Sequence, residues 1–315
     1  MDGQPIYQFI HDSLPGQVWL DEPMKLHTTW RIGGPADVLV EPDSMESLRV
    51  TLDLVQKHNL PLTVIGNGSN ILVCDGGIRG VVLKIGARFS KVTVENNKIT
   101  AGGGAKLVSL VNAALSKGIG GFEFLAGIPG TVGGAVVMNA GVNGAAICDV
   151  LEYALLMDQS GKTFRRTSEE FGFGYRMSNL QGASLIVLEA CCLGINREKK
   201  DIEKRIKEIL ERRKNTQPIT SASAGSVFKN PPGSYAGLLI DQAGGKGLRV
   251  GDAMVSTVHS NFIVNLGKAT AREVLDLIEK VKELVVQRFA IELTLEVKVL
   301  GEDQVGGGDI MWKGL

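Results

Sequence analysis

Three polar clusters stand in otherwise apolar or small-residue surroundings, and each has the makings of a reactive or binding site. Gly172-Phe173-Gly174-Tyr175-Arg176 puts a phenol and a guanidinium beside glycines that can turn, a fork suited to a carboxylate or phosphate. A structural salt bridge would use the same residues. Ser223 to Pro231, reading SAGSVFKNP, gathers a hydroxyl, an amine and an amide at Ser226, Lys229 and Asn230. It lacks the GxSxG elbow of a hydrolase, so a nucleophilic serine is a poor reading and a turn or cap serine the plainer one. Glu296, in ELTLEVKV, shares one face with Glu292, Thr294 and Lys298 if the segment alternates as a strand. An exposed strand face accounts for that set equally well.

Two glycine-rich stretches could hold a ligand close to backbone. Ala126 to Gly144, AGIPGTVGGAVVMNAGVNG, carries no charge. Glycine suits backbone that takes positive φ or approaches another group closely. Pro129 fixes its own φ and pushes Ile128 toward extended geometry, which argues against a continuous helix. The run Gly130-Thr131-Val132-Gly133-Gly134 then offers successive N–H groups, a nest for a pyrophosphate. Gly66-Asn67-Gly68-Ser69-Asn70, between the apolar runs Leu62–Ile65 and Ile71–Val73, is a second such turn. A tight turn between buried elements is the alternative for both.

Composition narrows the ligand. Lys+Arg and Asp+Glu both number 34, so the formal net charge is zero and no global field favours nucleic acid or an anionic membrane. Any anion needs a local site. The four cysteines, Cys74, Cys148, Cys191 and Cys192, form no CxxC, and the four histidines form no HxxxH. Neither a disulfide framework nor a metal site is expected, and the thiols read as core residues. The first residues lack the basic start and apolar run of a signal peptide, and no stretch reaches a membrane span, so a cytoplasmic location is expected.

The elements that must position these residues read as α+β. A chain of 315 residues with 40 glycines predicts two or three domains rich in tight connections. Residues 1 to 27, broken by Pro5, Pro15, Gly16 and Pro23, are expected to be peripheral and non-helical. Asp43 with Glu46 resembles a capping box before a helix with Leu48, Leu52 and Val55 inward. KVTVENNKIT predicts a hairpin turning at Asn96-Asn97. Ala105 to Lys117 predicts a helix ending at Gly118, and strands are expected near Leu151 to Met157 and Leu185 to Leu193. No GxGxxG opens a helix after a strand, which argues against a Rossmann domain. Asp201 to Lys214 predicts a charged helix with Ile202, Ile206, Ile209 and Leu210 buried, near a domain boundary. Thr270 with Glu273 caps a long helix, and Ile291 to Leu300 is expected as a terminal strand.

In their order, TTWRIGGPAD, TVIGNGSNILV, FEFLAGIPGTVGGAVVMNAG, FGYR, AGSVFKNP, GLLIDQAGGKGLRVGDAMVS, HSNFIVN and LEVKVLGE, spread from about Leu26 to Glu302, carry a resemblance. The chain resembles the UDP-N-acetylenolpyruvoylglucosamine reductases, the MurB family of flavoenzymes in cell-wall precursor synthesis. The resemblance implies a two-part FAD-binding domain of the vanillyl-alcohol-oxidase type plus a C-terminal α+β substrate-binding domain. The expected boundaries are 1–90 and 91–205 for the two FAD-binding parts, 206–302 for the substrate domain and 303–315 for a flexible tail. It implies non-covalent FAD, NADPH as hydride donor, and a small-molecule UDP-sugar substrate, with no nucleic acid, metal or membrane partner. Matched position by position, Ser226 resembles the family's proton donor, and Arg176 and Glu296 the pair that stabilises an enolate. Arg31, Ile32, Ile65, Gly66, Asn67, Gly68, Ser69, Asn70, Gly127, Ile128, Pro129, Gly130, Thr131, Gly133 and Gly134 correspond to FAD contacts. Tyr175, Lys229 and Asn230 correspond to substrate contacts. The chain departs from the family pattern at Val142 to Ala146, and it resembles the shorter subtype that lacks an extra tyrosine-bearing loop. An alcohol or sugar oxidase of the same fold and a non-catalytic nucleotide-sugar binder are the competing readings.

Overall fold

The computed structural model describes residues 4–14 and 16–302. The expected tail, 303–315, lies outside the described residues. The chain divides into two compact units, one built from residues up to Leu20, Val38–Asn67 and Gly80–Arg212, the other from Asp21–Asp37, Gly68–Arg79 and the chain from Arg213 on.

The first unit contains a four-stranded sheet in the order Gln17–Pro23, Pro35–Glu41, Ile78–Lys84, Leu62–Ile65, and three of these strands contain unit boundaries. Leu62–Ile65 runs parallel to Val81–Lys84. The helix Met45–Lys57 covers it with Leu48, Leu52 and Val55 buried. Its cap is Ser44, whose hydroxyl accepts from Ser47 N–H while the Ser47 hydroxyl accepts from Ser44 N–H; the expected Asp43/Glu46 box is displaced by one residue. The N-terminal expectation is also corrected. Gln4–Ser13 is a helix, with Pro5 in its first turn, where a missing N–H breaks no ladder. Ile6, Tyr7, Ile10 and Leu14 pack on Val38, Val40, Val55 and Val81.

A second, five-stranded antiparallel sheet runs in the order Thr163–Thr167, Leu151–Asp158, Leu185–Leu193, Lys98–Gly102, Val92–Glu95. The Asn96-Asn97 turn joins its last two strands, with Asn96 left-handed at φ 54°. Against this sheet pack the helix Leu107–Lys117, ended by a left-handed Gly118, and the helix Val132–Met138. Cys191 and Cys192 lie buried in the strand Leu185–Leu193, and burial pushes the Cys192 thiol up to about 12, which makes it a packing group. The helix Lys199–Thr216 buries Ile202 and half-buries Ile206 and Ile209. Leu210, expected inward, is exposed.

The second unit surrounds the long helix Ala271–Phe289, which buries Val274, Leu277, Ile278, Val281 and Val285. Thr270 and Glu273 form its capping box as the sequence predicts. Beside it lie an antiparallel sheet, Arg249–Val250, Ala253–Val255 and Ile263–Asn265, and a parallel pair, Ile71–Val73 with Lys298–Leu300. The expected strand from Ile291 is thus regular only over Lys298–Leu300. Upstream, the chain keeps single bridging contacts such as Leu295 with Phe228.

Candidate active site

Ser226, Lys229 and Asn230 lie on one segment of the second unit, and Glu296 is bonded to it. The segment is irregular, yet its backbone is pinned on two sides. Val227 C=O accepts from Glu296 N–H at 2.8 Å, and Lys229 N–H donates to Thr294 C=O at 2.8 Å. On the opposite side, Val227 N–H donates to Asn261 C=O at 2.9 Å. The Asn261 side chain then takes both polar groups of Phe228, accepting from its N–H at 2.9 Å and donating to its C=O at 2.8 Å. Val227 and Phe228 anchor the segment in the core, while the Ser226 and Lys229 side chains are half-buried. Ser226 follows Gly225, which takes φ 77° to reverse the chain ahead of it.

Glu296 is tied in turn to the GNGSN turn. Asn70 donates its side-chain amide to Glu296 C=O at 3.2 Å, and Lys298 N–H donates to Asn70 C=O at 3.0 Å. Gly68, at φ 61°, lies so close to the His27 carbonyl that a Cβ would collide with it, and Gly68 C=O accepts from Thr29 N–H at 3.1 Å. The Thr29 hydroxyl donates to Ser223 C=O at 2.7 Å, which closes the ring of contacts. Arg31 is exposed on the same turn in a left-handed conformation, φ 56°, while Ile32 is buried. Asn265 holds that turn by donating to Trp30 C=O at 3.1 Å and accepting from Gly267 and Ala269 N–H at 2.8 and 2.9 Å.

The charge here favours an anion. Burial, and then the nearby Lys229 ammonium, hold the Lys298 side chain below the usual lysine range. A phosphate or carboxylate beside Lys298 would stabilise the charged form that burial and the neighbouring cation disfavour. The Asn230 side-chain amide oxygen accepts from Ala236 N–H at 3.0 Å, satisfying a donor at the start of the helix Ala236–Gln242.

In the first unit, the stretch read as an open nest is partly helical. Thr131 caps Val132–Met138, accepting from Gly134 N–H at 3.3 Å. Val132 and Gly133 N–H donate to Ala105 and Gly103 C=O, both at 2.8 Å. Those donors are therefore spent within the protein, and the expected nest shrinks to the residues before Val132. What Gly127, Pro129 and Gly134 present instead is an exposed face of small residues above a buried layer of Leu125, Ala126, Val132, Ala135 and Val136. Gly66 approaches so closely that a Cβ would strike the Thr131 hydroxyl, which brings together the two glycine stretches that the sequence singled out. Ile65 is buried and Asn67 exposed beside it.

Tyr175 and Arg176 form the tip of a turn closed by reciprocal hydrogen bonds between Gly174 and Met177, 3.0 and 3.1 Å. Arg176 is left-handed at φ 54°, an uncommon state for a non-glycine residue, and the surroundings hold it there. Asn139 donates to Gly174 C=O at 2.9 Å and Gln181 to Arg176 C=O at 3.0 Å. The guanidinium donates to Gly141 C=O at 2.7 Å and lies 5.2 Å from the centre of the Tyr175 ring. Tyr175 itself is exposed.

Two glycine-bearing stretches without an acidic side chain, Gly66 to Asn70 and Ala126 to Gly144, suit close approach of a phosphate-bearing ligand to backbone. Residues 36–167 match an FAD binding domain, and residues 217–300 match the C-terminal domain of UDP-N-acetylenolpyruvoylglucosamine reductase. A UDP-N-acetylenolpyruvoylglucosamine reductase of Desulforamulus reducens is 49% identical over 91% of this chain and 95% of its own. The chain belongs to this reductase family. A second relative, from Bacillus velezensis, is 44% identical over 94% of this chain and 98% of its own. The crystal structure of the Thermus caldophilus reductase superposes with a TM-score of 0.79 at 40% identity, covering 91% of this chain and all of that one. The expected α+β plan, an FAD-binding domain followed by the family's C-terminal domain, therefore holds.

In HSNFIVN the two asparagines carry no role that the sequence alone reveals. Asn261 and Asn265 are both nearly fully buried. The available signal was their position at either end of the apolar run Phe262-Ile263-Val264, where a buried amide has to find backbone partners.

Proposed function

We propose that this protein reduces UDP-N-acetylglucosamine enolpyruvate to UDP-N-acetylmuramate in peptidoglycan precursor synthesis, with Ser226 as proton donor and Arg176 and Glu296 as enolate-stabilising groups. FAD, bound without a covalent link, would supply the two-electron hydride chemistry between NADPH and the enolpyruvyl group. The Gly66 to Asn70 turn and the small-residue face from Gly127 to Gly134 would hold it, with Arg31 and Ile32 on the turn beside Gly68. The protein's own part is to manage charge and a proton. As the enolpyruvyl double bond is reduced, negative charge builds on the carboxylate side; a guanidinium at Arg176 and a hydrogen-bonding acid at Glu296 stabilise it. Ser226 delivers a proton to the neighbouring carbon. A hydroxyl is a weak acid, so the step needs a strongly basic carbon and a fixed donor.

The observation that carries the reading is the backbone bond from Glu296 N–H to Val227 C=O at 2.8 Å, which sets two residues remote in sequence side by side. The Lys229 and Lys298 pair supports binding of the substrate's anionic groups, with Tyr175 and Asn230 as further contacts. No described helix is long and apolar enough to cross a membrane, in keeping with a cytoplasmic enzyme acting on a small molecule.

The test is Ser226→Ala under rapid mixing. NADPH should still bleach the flavin, while reoxidation by the enolpyruvyl substrate should slow by about 10²- to 10⁴-fold. Reoxidation at the wild-type rate would remove Ser226 from this role.

A further inference from the structure

The proton donor proposed above sits on a segment with no regular secondary structure, and a donor on loose backbone would lose its aim. The side chain of Asn261 replaces the missing ladder. Its amide accepts from Phe228 N–H at 2.9 Å and donates to Phe228 C=O at 2.8 Å, which is what a neighbouring strand residue would do. Its own carbonyl accepts from Val227 N–H at 2.9 Å. Val227 C=O is left to accept from Glu296 N–H. The two residues after Ser226 thus hang between Asn261 on one side and the Glu296 strand remnant on the other.

Asn261 is 4% exposed and both ends of its amide are engaged with Phe228, so it is not a substrate contact. The loop that carries it is itself fixed: the Ser256 hydroxyl accepts from Val258 and His259 N–H at 3.1 and 3.4 Å. The His259 ring nitrogen Nδ1 accepts from Asn261 N–H at 3.2 Å. We propose that Asn261 is a positioning residue for the reaction, setting the register of Ser226 against Glu296 and with it the proton delivery, without touching substrate or cofactor. The inference rests on the assignment of Ser226 as proton donor.

Asn261→Asp is nearly isosteric and keeps the acceptor for Phe228 N–H, but it sets a carboxylate oxygen against Phe228 C=O, where no hydrogen bond forms. Asn261→Gln keeps the amide and displaces it by one methylene, a milder change should the aspartate variant fail to hold FAD. In either variant, reduction of the flavin by NADPH should stay within about twofold of wild type. Reoxidation by the enolpyruvyl substrate should fall about 10- to 100-fold, the size expected for a displaced catalytic group. The decisive arm is the cycle with Ser226→Ala: if Asn261 acts through Ser226, its replacement adds nothing to the rate loss in the Ser226→Ala background. Full additivity, or equal slowing of both half-reactions, would overturn the inference and leave Asn261 a purely structural residue. If Ser226→Ala alone leaves reoxidation intact, the assignment of the donor fails instead, so the two failures are distinguishable.

Discussion

The glycine face of the first unit, a loop running into a short helix, and the serine segment of the second, irregular throughout, are fixed by different means. Gly127 to Gly134 is held by bonds to Gly103 and Ala105, residues on the preceding turn of the same sheet-and-helix unit. Ser226 to Lys229 is held by Asn261, Thr294 and Glu296, residues far along the chain. The first region presents small residues, Gly127, Pro129 and Gly134, at its outer surface, and the second converts backbone bonds into the aim of a hydroxyl. Substitutions in the second should therefore damage the fold and the rate together, whereas in the first they should spare the fold and reveal the ligand.

The largest effect on the fold is expected at Gly68. It is left-handed, and a Cβ would enter the His27 carbonyl, so Gly68→Ala carries both conformational strain and a backbone clash. A loss of about 3 kcal/mol or more follows from the two costs combined. Chemical denaturation of the variant would measure it, and a loss below about 1 kcal/mol would mean that the turn can move without consequence.

Asn265→Ala ranks next. It leaves Trp30 C=O and Ala269 N–H without their partner in a buried setting, and Gly267 N–H without its own nearer the surface. About 2 kcal/mol of destabilisation is expected. The FAD dissociation constant should rise as well, because the turn carrying Arg31 is what Asn265 holds. An unchanged affinity with lowered stability would detach Arg31 from the cofactor.

Gly134→Ala tests the other side of the comparison. Gly134 is helical and exposed, and a Cβ would meet only the Thr131 hydroxyl at 3.5 Å, ordinary contact. Without ligand, alanine should stabilise the helix by about 0.5–1 kcal/mol. If the small-residue face lies on FAD, the same variant should bind flavin more weakly despite its higher melting temperature. Stabilisation with unimpaired flavin binding would move the cofactor contact elsewhere.

The comparison also explains what could be read from the sequence. The glycine stretches, the Asn96 hairpin, the Gly118 cap and the Thr270 box are local signals, carried by the residues that form them. The helix Gln4–Ser13 is hidden in the sequence by Pro5, which counts as a breaker in a helix interior but costs nothing in a first turn. The Ile291 strand was over-extended because alternation persists where the partner does not: only Lys298–Leu300 finds a neighbour, at Ile71–Val73. Ser226, Arg176 and Glu296 emerged from motif order, whereas the geometry that fixes them depends on Asn261, Asn139 and Gln181, buried or half-buried amides with no local pattern. The nest is illegible for a related reason: the Gly133 N–H is taken by Gly103, thirty residues earlier in a different turn.

The smallest effect, and the one that separates the regions by chemistry, is on pH. The face from Ala126 to Gly134 has no ionisable side chain, whereas the loop bearing Asn261 includes His259. Burial, with the Lys246 charge adding to it, holds His259 below its ordinary value of 6.5. The ring must be neutral at Nδ1 to accept from Asn261 N–H. Below pH 6.5 the unfolded chain takes up a proton at this position that the folded chain resists. Stability from this group is therefore present above that pH and is lost as pH falls through the lowered folded value. Between about pH 7.5 and 5.5 the denaturation midpoint of the wild type should drop more than that of His259→Gln, which cannot titrate. Parallel pH dependences in the two proteins would show that the loop holding Asn261 does not depend on a neutral His259.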